Sequence, residues 1–441
     1  MKTTPIDETH APGLRSWVDS ANSPAIDFPI QNLPFGVFRT SGTQSNRLGA
    51  AIGDFVLDLR ACLERSLLTG MPTGVLAAVA EETLNALMAR PDIERRALRH
   101  RLSHLLRAEG SQVTAKPHAA EVLVSQSNVR MALPARIADY TDFYASIDHA
   151  TNVGSMMRPD NPLLPNYKWV PIGYHGRSSS IVVGGTPLRR PSGQVDPAGP
   201  GQPPRFEPSK LLDYELEVGI FIAEGNEQGH PIPVQEAGAK IFGLCLLNDW
   251  SARDIQKWEY QPLGPFLAKN FATTISPWIV TTEALAPFRT AAAHRPGGDP
   301  APLPHLKSAQ DQALGAFNVE LEVSLSTRAM RAHGHPRARL SRSNLSSLYW
   351  TPAQLIAHHT SGGCNLNPGD LLGTGTVSGR AKESRGCLLE LTMRGRDPIE
   401  LPGGETRTFL EDGDEVIFTA SCQRDGFVRI GFGECFGVVV G

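Results

Sequence analysis

Cysteine is scarce for a chain of this length, six residues in 441, and no two of them form a C-x-x-C pair. A disulfide scaffold and a thiol-rich metal or redox centre are therefore excluded, and the six read as buried thiols. Long apolar runs are missing as well. No segment approaches the roughly 18 consecutive apolar residues of a membrane span, and the start, MKTTPIDETHAPGLRSWVDS, has no apolar signal core. A cytoplasmic protein without a membrane partner is the expectation. An excess of one charge is also lacking: 42 Lys and Arg face 45 Asp and Glu, a net charge of −3. No global attraction to nucleic acid follows from that balance, so any charge-based function must be local.

Glycine (42) and proline (35) are abundant. Both punctuate helices, which points to a mainly β (α+β) chain rich in turns, and the length suits two to four domains. The stretch FGVFRTSGTQSNRLGAAIGDFVLDLR, 35–60, has the short apolar runs and small-residue breaks of antiparallel strands. Apolar residues at i, i+3, i+4 between 74 and 107 predict two helices, with Pro91 suited to a helix start. A mixed, weakly periodic stretch follows from 108 to 138. A boundary near 134 divides the chain into domains 1–134 and 135–441. In the second, apolar or alternating runs at 180–184, 214–223, 241–247, 317–325, 387–393, 415–420 and 428–440 read as strands. Two Gly/Pro-rich segments, 191–208 and 287–306, read as long loops that either cover a site or are disordered. The His- and Arg-rich stretch 332–342 reads as a solvated loop.

Five patches could carry chemistry. On a strand, Asp213, Glu215 and Glu217 of DYELEVGIFIA would share one face. A solvated acidic face is the ordinary reading, and a divalent cation held between the acids is the other. The same E-x-E spacing recurs at Glu320 and Glu322, which we read as solvent-facing. In IFGLCLLNDWSARDIQKWEY an apolar strand runs into Asp249, and Asp249, Arg253, Gln256 and Tyr260 then recur at spacings of 4, 3 and 4 on one face of a helix or helical turn, either a surface helix or a site. In DYTDFYASIDHATNVG, a seven-residue helical step would set Asp142 and His149 on one side, with His149 a structural histidine or a general base. Lys269, between two phenylalanines in GPFLAKNF, is a snorkelling lysine, a depressed one or one aimed at an anion. In NPGDLLGTGTVSG, Gly373, Gly375 and Gly379 expose backbone N–H groups and Thr376 and Ser378 offer hydroxyls, together suited to a carboxylate or phosphate.

DYTDFYASIDHATNVG, PIGYHGRSSSIVVGGTPLRRP, LLDYELEVG, NDWSARDIQKWEYQPLGPFLAKNFATTISPW and CNLNPGDLLGTGTVSG, together with FPIQNLPFGVF and RTFLEDGDEV, closely resemble the fumarylacetoacetase family over about residues 28–440. The resemblance implies a small SH3-like β-barrel at the N-terminus, a large C-terminal β-sandwich roll and a homodimer. It also implies hydrolysis of a carbon–carbon bond in 4-fumarylacetoacetate to fumarate and acetoacetate, at the end of tyrosine and phenylalanine breakdown. By motif, the ligands of a catalytic Ca²⁺ would be Asp142, Glu215, Glu217 and Asp249. A second or alternative Mg²⁺ would involve Asp249, Lys269 through its backbone, and Thr273. His149, oriented by Glu390, would be the base; Arg253, Gln256 and Lys269 would surround the oxyanion; Tyr144, Arg158, Gln256, Tyr260 and Thr376 would hold the substrate.

The chain departs from the family in having Asp148 before the histidine, where Glu or Gln is usual, in extra N-terminal residues and in two enlarged loops. Two rivals stand beside this reading. One is a Mg²⁺-dependent hydrolase, decarboxylase or isomerase of the same superfamily, against which the N-terminal domain and the His149–Glu390 pair argue. The other is a non-catalytic protein with a structural cation, which would need neither His149 nor Glu390.

Overall fold

The run at 241–247 is apolar on both alternating faces, which a half-exposed strand would not be. The computed structural model, which describes residues 4–40, 42, 45–110 and 114–441, supplies the reason. The strand Ile241–Asp249 lies inside an eight-stranded sheet covered on both sides. Ile241, Leu244 and Leu246 enter one core with Trp250, Phe418 and Phe432. Phe242, Cys245 and Leu247 enter another with Val37, Leu57 and Leu98 of the N-terminal region.

Along this sheet the neighbours are Gly173–His175, Tyr140–Phe143, Leu371–Gly373, Leu216–Ile222, Ile241–Asp249, Thr273–Ile275 and Ile181–Val183, with Val280–Thr281 also paired to Ile241–Asp249. A five-stranded sheet, in the order Ala338–Asn344, Glu320–Ser326, Glu415–Cys422, Ile430–Val440 and Leu188–Arg189, shares the first core with it. The architecture is mainly β, two sheets folded over one apolar layer.

The N-terminal region forms a second five-stranded sheet, ordered Leu123–Ser125, Phe55–Asp58, Arg47–Ile52, Phe35–Thr40, Val129–Ala132. Arg47–Ile52 and Phe55–Asp58 pair with Ile52 opposite Phe55, a two-residue turn that calls for positive φ. Gly53 supplies it at 54°, and a Cβ there would lie 2.6 Å from the Ala21 backbone nitrogen. The Asp58 carboxylate caps the helix Leu59–Glu64 by accepting from Ala61 N–H at 3.0 Å. Instead of two helices between 74 and 107 there are three, Thr73–Val79, Asn85–Met88 and Asp92–Leu106, because the periodic run breaks at 80–84. Residues 41, 43 and 44 of the 35–60 stretch, and 111–113 of the weakly periodic stretch, lie outside the described residues.

Three further expectations are corrected. The run 387–393 is a helical turn, Leu388–Leu391, not a strand. The Asp213 carboxylate accepts from the N–H groups of Leu388 and Leu389 at 2.8 and 3.0 Å, so it caps a turn whose own N-terminal residue offers no side-chain cap. The 191–208 segment is a hairpin, Ser192–Val195 with Arg205–Pro208, and a Cβ on Gly193 would fall 2.7 Å from Ile255 Cδ1, so the hairpin sits tightly on the helix Arg253–Glu259. The 332–342 stretch closes the helix Arg328–His333 at Gly334 and opens the edge strand Ala338–Asn344. Of the cysteines, five are buried and Cys364 is exposed. Among the described residues, no helix is long and apolar enough to cross a membrane.

Candidate active site and metal centre

Three segments that are remote from one another in sequence bring Asp142, Glu215 with Glu217, and Asp249 together, each acid offering an oxygen within 4.8 Å of the others, all buried. Glu217 lies in Leu216–Ile222 and Asp142 in Tyr140–Phe143, separated by the intervening strand Leu371–Gly373. Only glycine fits between them: a Cβ on Gly373 would stand 2.8 Å from Asp142 Oδ1 and 2.9 Å from Glu217 Oε2. Asp249 ends its strand and Glu215 immediately precedes another. Of the three alternating acids, Asp213 leaves the group. It caps the 388–391 turn and accepts from Arg253 Nε at 2.9 Å. The solvated-face reading fails because all three are buried, whereas Glu320 is exposed and pairs with Arg342.

Two cations oppose this charge. Lys269 Nζ lies 2.5 Å from both Glu215 Oε2 and Asp249 Oδ2, and Arg253 Nη1 donates to Glu215 Oε1 at 2.6 Å and to Gln256 Oε1 at 3.1 Å. Burial alone would lower the Lys269 ammonium, but Asp249 and Glu215 raise it, so the depressed lysine read from its phenylalanine neighbours does not occur. Burial raises Glu215 too, yet Lys269, Arg253 and His149 outweigh it and hold this carboxyl low. Burial and then Asp249 push Asp142 up to about 8, and burial with Asp142 and Asp249 raises Glu217 well above the usual range.

Among the described residues, Asp142 Oδ1 and Glu217 Oε1 are buried without a hydrogen-bond partner. Two protein cations do not satisfy four clustered carboxylates, and the donors are all hard oxygens. The residues fit a Ca²⁺- or Mg²⁺-class ion held by Asp142, Glu215, Glu217 and Asp249. Thr273 Oγ1 and Tyr174 Oη donate to Asp249 at 3.2 and 3.1 Å. A cavity of about 510 Å³ reaches this group between Tyr174, His175, Arg177, Phe266 and Lys269.

His149 does not share a helix with Asp142, contrary to the seven-residue spacing. Asp142 is on a strand, and the helix Ile147–Met157 starts only after Ser146, whose hydroxyl accepts from His149 N–H at 3.2 Å. His149 Nδ1 meets Glu390 Oε2 at 2.6 Å. A carboxylate can only accept, so Nδ1 carries the proton and Nε2 is left as the basic nitrogen. Ser378 Oγ and Cys387 Sγ also donate to Glu390 Oε2, at 2.8 and 3.2 Å, and Asn152 Nδ2 donates to Oε1 at 2.7 Å. Asn152 is one turn beyond His149, so a single helix presents both to Glu390.

Burial would raise Glu390, but the His149 charge and these donors lower it from 4.5 to about 2. The folded state therefore binds this proton less readily than the unfolded chain. The resulting stabilisation, on the order of 3 kcal/mol, is complete above pH ~4.5 and is lost as pH falls towards about 2. In Glu390→Gln the acid limb of stability flattens over that window, read by denaturant unfolding at a series of pH values. A limb as steep as that of the wild type would show that Glu390 is not held ionised.

Tyr144 stands edge-on to His149 with ring centroids 5.3 Å apart. Thr376 is buried with its hydroxyl unpartnered, beside Gly375, whose N–H donates to Glu217 Oε2 at 3.0 Å. That N–H is the anion-binding role expected of the glycine-rich stretch, filled by a carboxylate of the chain itself. Arg158 makes no ion pair among the described residues, and its buried Nε has no partner. Tyr260 ends the helix Arg253–Glu259, its hydroxyl accepting from Gln261 Nε2 at 3.2 Å. Arg158, Tyr260 and Thr376 make no hydrogen bond with the acid cluster. Asp249 lies on a strand rather than on the helical face expected to join it to Arg253, Gln256 and Tyr260. The Ser378 hydroxyl, expected from the glycine-rich stretch to suit a carboxylate, meets Glu390. Tyr174 and Asn152 have no such mark in the sequence: Asn carries no periodicity or charge that would single it out, and Tyr174 stands only inside the motif GYHGR.

With this geometry in view, comparison with known proteins is specific. Residues 31–134 match the family described as fumarylacetoacetase N-terminal, and residues 139–440 match fumarylacetoacetate hydrolase C-terminal. Fumarylacetoacetase from Bos taurus is 49% identical over 417 residues, 94% of this chain and 96% of the relative. Those from Dictyostelium discoideum and Arabidopsis thaliana are 49% and 46% identical, each covering 97% of this chain and 98% of the relative. A solved fumarylacetoacetate hydrolase from Exiguobacterium antarcticum shares the fold, with a TM-score of 0.50 at 15% identity over 93% of this chain and 99% of that one. Family models spanning nearly the whole chain, and relatives near one-half identical at that coverage, place it in the fumarylacetoacetase family.

Proposed function

We propose that this chain is a metal-dependent hydrolase that cleaves a carbon–carbon bond of 4-fumarylacetoacetate, giving fumarate and acetoacetate in the last step of tyrosine and phenylalanine catabolism. The observation that carries the reading is the buried His149–Glu390 pair set beside a nest of four carboxylates, since a structural cation would need no such base. Relatives that carry the name fumarylacetoacetase over nearly their full length support it.

Asp142, Glu215, Glu217 and Asp249 hold the cation, Ca²⁺ in this reading. When bound, it polarises the β-diketone and stabilises the enolate that leaves. His149 Nε2 takes a proton from water, and the hydroxide attacks the carbonyl next to the scissile bond. As that bond breaks, its electron pair passes to the acetoacetate carbon, which receives the proton from His149. Glu390 keeps the imidazole in the required tautomer and balances the imidazolium. Arg253, Gln256 and Lys269 face the developing oxyanion. Tyr144, Arg158, Tyr260 and Thr376 grip the substrate, Arg158 through a carboxylate. A Mg²⁺ ion at Asp249, Thr273 and the Lys269 backbone is a second or alternative site. The same reading takes 1–134 as an SH3-like domain, 135–441 as the catalytic roll, the assembly as a homodimer and the location as cytoplasmic.

Metal analysis coupled to an assay on 4-fumarylacetoacetate tests it. Turnover abolished by chelator and restored by Ca²⁺ or Mg²⁺ is expected. Bound metal without turnover would leave only the non-catalytic reading, and turnover of other oxo-acids alone would transfer the chain to a sister activity.

A further inference from the structure

We infer that the Gly/Pro-rich segment 287–306 is a positioning device for the active site, with Arg295 acting through Tyr349 and Tyr167 to fix the rings of Tyr144 and His149. This inference rests on the reading of His149 as the base and Tyr144 as a substrate contact.

The segment is neither disordered nor a simple cover. The Arg295 guanidinium lies 4.2 Å from the ring centre of Tyr349 and 4.5 Å from that of Trp350. Its Nη1 donates to Tyr349 Oη at 2.8 Å and to the backbone carbonyl of Pro300 at 3.0 Å. Tyr349 Oη in turn donates to Asp299 Oδ2 at 3.1 Å, and Asp299 pairs with Lys168. One cation and one carboxylate of the segment thus grip both the Tyr349 side chain and the turn that carries Tyr167.

From there an unbroken line of rings leads inward. Tyr349 and Tyr167 have centroids 6.1 Å apart, Tyr167 stands edge-on to Tyr144 at 5.9 Å, and Tyr144 stands edge-on to His149 at 5.3 Å. Hydrogen bonds lock the line at two points. Tyr167 Oη donates to the Tyr144 carbonyl at 2.7 Å, and Tyr349 N–H donates to the Ala145 carbonyl at 2.9 Å. The successive carbonyls of Tyr144 and Ala145 are therefore held by residues that the segment pins. The two inner pairs are edge-to-face and directional and the Tyr349–Tyr167 pair is tilted at 48°, so in a close-packed core a shift of Tyr349 is passed on along the rings rather than absorbed. Misplacing a reacting group by about 1 Å can cost about 10²-fold in rate. A planar guanidinium stacks on two rings and bonds a hydroxyl at once, which an ammonium does not match.

The test uses the full chain with metal, the variants Arg295→Ala, Arg295→Lys, Tyr349→Phe and Tyr167→Phe, kinetics on 4-fumarylacetoacetate, and NMR of ¹⁵N-labelled histidine rings, with His149 assigned by its loss in His149→Gln. Arg295→Ala is expected to lower kcat/KM about tenfold, with kcat reduced through His149 and KM raised through Tyr144, and to displace the His149 ring resonances. Arg295→Lys recovers part of that loss, and Tyr349→Phe, which deletes only one hydroxyl, reproduces a smaller share. The Arg295→Ala, Tyr167→Phe double variant loses less than the product of the two single losses, since both act along one line. A lowered melting temperature with wild-type kcat, KM and His149 resonances would overturn the proposal, as would losses that multiply in the double variant. Failure of the wild type to turn over the substrate would count against the hydrolase reading alone, because the ring resonances decide the positioning claim without turnover.

Discussion

His149→Ala lowers kcat for 4-fumarylacetoacetate by about 10³-fold, within the ~10²–10⁴ span of a general base, and leaves the bound metal unchanged. The two halves of that result have separate physical causes. His149 groups with Glu390, its Nδ1 2.6 Å from Oε2, and stands apart from the four carboxylates that would hold the cation. Loss of the imidazole removes the proton acceptor without removing a metal ligand. Steady-state kinetics and metal content measured on one preparation check both halves. Glu390→Gln separates orientation from basicity: the amide can turn its Nε2–H towards Nδ1 and so favour the wrong tautomer, and a loss approaching that of His149→Ala is expected. If His149→Ala kept more than about a tenth of wild-type kcat, the base would have to lie elsewhere. If it lost the metal, the histidine would belong to the cation's own shell.

The order of strands and the identity of the acids were legible to different degrees. Alternation could place Glu215 and Glu217, but Glu320–Glu322 has the same spacing on an edge-paired strand, and only burial separates the two pairs. Burial is set by what covers the sheet, and for Leu216–Ile222 the cover comes from the N-terminal region and from the second sheet, both far away in sequence. The seven-residue spacing of Asp142 and His149 implies one helical face, but a strand ends and a capped helix begins between them. Apolar runs of four to eight residues do not distinguish strand from helix. At 388–391 the decision falls to Asp213, a residue about 175 positions earlier that caps the turn. The pairing of Glu390 with His149 was expected only through the family's motifs, since nothing in CLLEL marks a glutamate as buried. Of its remaining donors, Ser378 stands in a stretch whose hydroxyls suit a carboxylate, whereas Asn152 follows only from three-dimensional proximity.

Glu217→Gln abolishes metal binding and turnover, yet the variant is more stable than the wild type when both are stripped of metal. Burial and the neighbouring Asp142, Asp249 and Glu215 all disfavour charge on Glu217, and its Oε1 has no partner. A buried, unsatisfied carboxylate costs about 1–3 kcal/mol or more, so removing its charge relieves the metal-free fold. Glutamine keeps the acceptor that Gly375 N–H needs at 3.0 Å and adds an amide donor for the unpartnered Asp142 Oδ1. The order reverses once the ion is present. A cation at 100 times its Kd stabilises the wild type by about 2.7 kcal/mol, and a variant that no longer binds gains nothing. Melting curves of both proteins, in chelator and in millimolar Ca²⁺, should therefore cross: the variant is higher without metal, the wild type higher with it. A variant less stable than the wild type in both conditions would mean that Glu217 has a structural partner, and equal metal-induced rises would place the cation elsewhere. Only a site whose folding penalty is offset by its ion gives the crossing, because the same carboxylate then destabilises the empty protein and stabilises the loaded one.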